Sequence, residues 1–300
     1  MTATALVTVP RPAGRRMRSA AQQSEELNPL AMLRARRRDR VIIQVILVVL
    51  TLWWVFPLAV AVSSSLGFGG LQNYVDVLTQ PLNGVYLGLT FVNSAAVAVI
   101  HAVAVCVVSA LAGFAFSRLE FPGREQVYYA VLIFLAVPGT AIIVPVYYIS
   151  GTLGLFNSYF GVALPEAALT LPFGVLLMKN FADGLQASTF EAAAVDGANT
   201  WQVFRRIYLP QVRSPLINLA ILSIMWSFQD FIFPSLLLRT PELTTASQAV
   251  QTIRGAFGAT PQQNAEFFAA LVLLSLPAVL LVTFGLRWVS RGLTSGGSKE

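Results

Sequence analysis

Six apolar stretches, at about residues 41–62, 91–116, 127–149, 161–181, 216–238 and 267–289, limit this chain more than any other feature. The hydrocarbon core of a bilayer takes about 20 consecutive apolar residues in helical form, and each stretch meets that length. None alternates apolar and polar residues over the roughly ten positions a barrel strand needs. The reading is an all-α polytopic membrane protein with six transmembrane helices. Composition agrees. Hydrophobic residues make up 56% and charged residues 11% of a 300-residue chain, and the mean hydropathy is +0.68, far from the balance of a water-soluble domain. The domain division follows: a basic tail over 1–40, a six-helix domain over 41–293 with a polar loop at 182–215, and a tail over 294–300.

Charge sets the orientation, because loops that stay on the cytoplasmic side of a membrane keep their Lys and Arg. Of the 20 basic residues, all but Arg239 and Arg254 fall on the termini and on the second-to-third and fourth-to-fifth loops, one side of a six-span chain. Both termini are therefore expected in the cytoplasm, together with the 182–215 loop. The net charge of +6 is first a topology signal, and the arginines before residue 41 can also meet anionic lipid headgroups. No aromatic side chains are interleaved with those arginines, so nucleic acid is not an expected partner. Ala61-Val62-Ser63 resembles a cleavage site, but about 40 residues precede the apolar run and further spans follow it, so the first span reads as an uncleaved anchor. The tail is expected to be disordered up to about residue 28.

The sequence lacks several kinds of chemistry. Cys106 and His101 are the only residues of their types, and both sit inside the second apolar stretch. A lone cysteine forms no intramolecular disulfide and no thiolate cluster, and the histidine reads as an interhelical hydrogen-bonding residue. The lysines are Lys179 and Lys299, neither in a phosphate-binding loop, so the chain carries no nucleotidase site of its own. Prolines at 138, 145, 172, 234 and 277 lie in the apolar stretches, where each removes a backbone donor and invites a kink or hinge. Asp230 stands out among the polar groups, because a carboxylate at membrane depth must be paired, protonated or facing water. It falls in Phe228-Gln229-Asp230-Phe231, a mixture of rings and hydrogen-bonding groups suited to the apolar face and hydroxyl rim of a sugar. The same carboxylate would equally serve as a cap at a kinked helix end. Glu166 reads as solvated at the membrane interface.

The polar stretch EAAAVDGANTWQVFRRIYLP, residues 191–210, folds on paper into two short helices. Ser188 and Glu191 have capping-box spacing. Gly197 supplies a residue able to take positive φ where the first helix ends, and Asn199 or Thr200 can cap the second. Trp201, Phe204 and Ile207 or Tyr208 recur at helical spacing. The alanines at 192–194 and the acids Glu191 and Asp196 leave a small, close-packing surface, which points to a protein partner rather than to insertion in lipid.

Glu191-Ala192-Ala193, three residues, Gly197, nine residues, Ile207, one residue, and Leu209-Pro210 match the EAA motif at every position. The chain thus resembles the inner-membrane permease subunits of ABC importers. From about residue 73 to 293 it is similar to the carbohydrate-importer, MalG-like type, through Phe114-Ala115-Phe116-Ser117-Arg118-Leu119-Glu120-Phe121-Pro122-Gly123-Arg124, Gly154-Leu155-Phe156-Asn157-Ser158-Tyr159 and Arg291-Gly292-Leu293-Thr294. It departs from that type where members carry Trp-Asn before the acidic position and this chain has Phe228-Gln229. The resemblance implies an ABC type I importer permease fold in a bacterial plasma membrane. It implies that Glu191, Ala192, Ala193, Asp196 and Gly197 dock a cytoplasmic ATPase, which binds the ATP and Mg that this chain does not. It also implies a second permease subunit, two ATPase subunits and an extracytoplasmic solute-binding protein, the last contacting the loop at about 239–265. A proton- or ion-coupled secondary transporter with Asp230 as relay is the alternative, and would call for an internal repeat and further acids in the spans.

Overall fold

The computed structural model describes residues 37–295 apart from 82, 83, 85 and 256–259, so the expectations for residues 1–36 and 296–300 lie outside the described residues. Two compact units divide the chain, Met1–Pro57 and Leu58–Glu300. Helix α1 (Arg37–Ser65) is apolar on every side, and its side chains from Val41 to Phe56 are exposed, the pattern of a helix made for a lipid surround.

In the second unit, α3 (Leu87–Arg118), α6 (Tyr159–Asp183) and α9 (Arg213–Gln229) pack on one another as its central helices. Small residues let them approach closely. A Cβ on Gly113 would come within 2.6 Å of Met178 Cβ, and one on Gly174 within 2.2 Å of Ser109 Oγ. Membrane helices use such positions because packing, rather than water exclusion, holds them together. Around the trio stand α2 (Gln72–Thr79), α4 (Arg124–Ile133), α5 (Ile143–Thr152) and α12 (Pro261–Ser295). The amide of Asn73 in α2 donates to the carbonyls of Ser65 and Gly67 and accepts from Gln262 of α12.

Among the described residues four helices are long and apolar enough to cross a membrane, or up to six if each of two bent pairs, Arg124–Ala136 with Gly139–Thr152 and Thr200–Gln211 with Arg213–Gln229, counts as one span. Two of the expected spans are broken beside a proline. The stretch at 127–149 is not a continuous helix: Arg124–Ala136 and Gly139–Thr152 meet at 97°. Pro138 has no N–H for the carbonyl of Phe134, and that carbonyl instead accepts from Val137 at 3.1 Å. The stretch at 216–238 stops early, with α9 ending at Gln229 and a separate α10 over Ile232–Leu237. Pro234 would have to donate to the carbonyl of Asp230 and cannot; that oxygen accepts from the Ser247 hydroxyl. Pro145, Pro172 and Pro277, by contrast, lie inside α5, α6 and α12 without ending them.

Helix α10, a 3-10 turn at Pro241–Leu243 and α11 (Ala246–Gly255) fold back over the start of α3. The Asn93 amide donates to the carbonyls of Glu242 and Thr244, and the Ser94 hydroxyl accepts from the Ala246 N–H. A groove of about 640 Å³ runs beside α3, α9 and α12, walled by apolar side chains such as Val99, Ile221 and Leu280. It offers nothing to a hydroxyl-rich solute.

Candidate functional site

At the end of the molecule where α3 and α6 finish, the chain forms a hook. Helix α7 (Ala187–Val195) starts one residue before Ser188, with Gln186 at the N-cap position and no side-chain cap bond. The expected capping box of Ser188 and Glu191 is therefore not formed. The Gln186 carbonyl takes the Thr189 N–H at 3.3 Å and opens the helix early, which leaves Glu191 exposed. The other end behaves as its residues predict. Gly197 has φ +75°, its N–H donates to Ala194, and the Ala198 N–H donates to Ala193, the paired bonds of a glycine-terminated helix. Asn199 caps α8 (Thr200–Val203) in a box with Gln202, both bonds at 2.9 Å.

The second arm continues from α8 as a π-turn over Phe204–Tyr208 and a last turn at Leu209–Gln211. Pro210 breaks the regular ladder there, and a wider turn absorbs the misfit. This arm is anchored by rings. Phe204 and Tyr208 are buried and stack on each other at 5.6 Å, and both meet Phe114 of α3, at 5.4 and 5.2 Å.

Of the motif residues, Glu191, Ala192, Asp196 and Gly197 are exposed, while Ala193 is 7% exposed and packs inward. Two apolar side chains that the motif does not include stand beside them, Val195 at 87% and Trp201 at 61% exposure. Trp201 belongs to the apolar face expected of the second helix. It stacks on Phe204 at 5.3 Å, yet leaves most of its surface free.

A second polar group lies between the central helices. His101 is buried, with Nδ1 3.1 Å from the Ser223 carbonyl and Nε2 3.0 Å from the Thr170 hydroxyl, the interhelical role expected of it. Thr170 in turn donates to the Glu166 carbonyl. Glu166 itself is 6% exposed and neither carboxyl oxygen finds a partner among the described residues, so the expectation of a solvated side chain is corrected. It shares a face of α6 with the buried Val162, Ala163 and Ala167, and that face turns into the bundle.

Asp230 follows the last residue of α9 and caps α10, its two oxygens accepting from the N–H groups of Ile232 and Phe233 at 3.2 and 3.1 Å. Gln229 and Phe231 on either side are exposed. Phe228 is buried and meets Phe91 at 5.9 Å. The four residues are contiguous in sequence but face different surroundings.

Close-packed membrane helices, a rigid hook presented at one end and a broken helix with polar groups at the other are the build of a transport permease. The chain belongs to the family of binding-protein-dependent transport system inner membrane components, whose pattern matches residues 105–295. It is 29% identical to the maltodextrin transport system permease protein MdxG of Bacillus subtilis, over 88% of this chain and 98% of that one. It is 30% identical to the osmoprotective compounds uptake permease protein GgtD of Synechocystis, over 77% and 75%, and 27% identical to the trehalose transport system permease protein SugB of Mycobacterium tuberculosis, over 82% and 90%. Its fold is that of a chain in the crystal structure of a bacterial ABC transporter involved in the import of the acidic polysaccharide alginate. The TM-score is 0.70 at 20% identity, over 84% of this chain and 97% of that one.

Proposed function

We propose that this chain is a permease subunit of an ATP-driven importer for a sugar or oligosaccharide, with six spans and both termini in the cytoplasm of a bacterium. In this reading the hook at 187–211 sits in a surface groove of a partner ATPase. The observation that carries it is the rigid, outward-facing set of Glu191, Ala192, Asp196, Gly197, Val195 and Trp201, built on a base fixed to α3 by stacked rings. Glu191 offers its carboxylate to a basic group of that groove, and Ala192 allows close approach. ATP and Mg stay on the partner, whose closure moves the hook and tips the helices from inward-facing to outward-facing. A second permease of the same kind and an extracytoplasmic binding protein complete the assembly. Relatives named for maltodextrin, trehalose and α-glucoside transport support a carbohydrate cargo.

The solute passes near Phe228, Gln229, Asp230 and Phe231, with Gln229 and Phe231 the exposed members. The buried Glu166 is one further acid of the kind the proton-relay alternative calls for, but the two oxygens of Asp230 both serve as caps. Uptake by the reconstituted complex should persist when an ionophore removes the proton gradient and stop when ATP is withheld. Glu191→Lys and Gly197→Asp should each lower both ATPase co-purification and ATP-dependent uptake, and full survival of both activities would refute the docking.

A further inference from the structure

The last residue of α3 is Arg118, and its guanidinium touches three parts of the chain. Nη2 donates to the Leu185 carbonyl at 2.9 Å and to the Ala182 carbonyl. The guanidinium carbon lies 4.2 Å from the centre of the Phe190 ring. Ala182 belongs to the final turn of α6, Leu185 to the link after it, and Phe190 to α7, the arm of the hook that carries Glu191. The carbonyls at a helix C-terminus carry the negative end of the helix dipole, so a fixed cation suits them, and the Ala182 carbonyl takes the guanidinium in addition to the Leu185 N–H. A planar guanidinium can hold both and still lie over a ring, which an ammonium cannot do as well.

What stands behind Arg118 is stiff. One turn back, Gly113 lets α3 touch the backbone of Met178 and Lys179, and Gly174 is seated on Ser109. The second arm of the hook is already gripped by Phe114 through Phe204 and Tyr208. Without Arg118, the first arm would hang on the short link through Gly184 and on apolar contacts that can slide.

We propose that Arg118 is a positioning residue that transmits movement of the docked hook to α3 and α6, so that displacement of α7 is not absorbed in the link at 184–186. The proposal rests on the docking described above. With the guanidinium removed, α7 stays folded and docked, the link yields, and ATP is consumed with little transport.

The test uses the whole importer in proteoliposomes, with Arg118→Met and Arg118→Lys, and reads three quantities: ATPase subunits retained, ATP hydrolysed, and solute taken up per ATP. Arg118→Met should retain the ATPase subunits and hydrolyse ATP, while uptake per ATP falls by about tenfold or more, the scale of losing even one of its two charge-assisted hydrogen bonds. Arg118→Lys should recover part of the loss. Uptake per ATP equal to the unsubstituted complex in Arg118→Met would overturn the proposal. So would loss of the ATPase subunits from that variant alone, since Arg118 would then hold the hook's fold and not its motion. If the unsubstituted chain retains no ATPase subunit, the docking reading fails first and the role of Arg118 falls with it.

Discussion

Asp230 carries two requirements on one side chain. Its oxygens cap α10, and its neighbours Gln229 and Phe231 face outward where a solute can meet them. Loss of an N-cap costs about 1 kcal/mol, so Asp230→Ala should lower the thermal midpoint of the complex in detergent. Asp230→Asn keeps one acceptor and should lower it less; a change in its uptake KM would then report on the solute rather than on folding. Legibility at this scale depended on how local each requirement is. Gly197 and Asn199 were readable because positive φ and a two-bond cap are settled within four residues. Ser188 was misread because Gln186 opens the helix first. Glu166 was misread because distance along a span says nothing of which face turns inward; that depends on Val162, Ala163 and Ala167 meeting their partner helices.

Elements show a similar division. The hook was legible as two short helices between two spans, and its register came from one glycine and one asparagine. Its outer surface was not, since the motif omits Val195 and helical spacing alone does not say how much of Trp201 stays exposed. Val195 is 87% exposed and makes little difference to the isolated fold, so Val195→Glu should change stability by no more than about 0.5 kcal/mol. Retention of the ATPase subunits should nevertheless fall, because a charge would replace an apolar contact in the docked state. Wild-type retention by Val195→Glu would remove this residue from the interface. The spans expected at 127–149 and 216–238 end or turn where a proline four residues on denies a carbonyl its donor. The prolines were visible. Which of them would break a helix depended on alternative partners, Val137 and Ser247, supplied by the fold.

For the whole molecule, hydropathy fixed a membrane protein and the order of its apolar stretches, while the structure adds that the third stretch is a bent pair of helices and that the fifth breaks after Gln229. Orientation rests on the distribution of Lys and Arg. Cys106 is the only cysteine of the chain and lies half-buried within α3, which gives a quiet background for labelling. In a Cys106→Ala chain produced without its ATPase subunits, Val195→Cys and Lys299→Cys should both react with a membrane-impermeant maleimide in inverted vesicles and not in intact cells. Reaction of either from outside the cell would reverse the assigned topology.

The staple between α3 and the segment at 242–246 joins residues 149 to 152 positions apart. During synthesis at about 5–20 residues per second, Asn93 and Ser94 must wait roughly 8–30 s for those partners to leave the ribosome. Through that interval α3 holds two polar side chains without their final bonds. That staple thus sets well after α3 has been made, and the bond from Gln262 to Asn73, spanning 189 positions, sets later still.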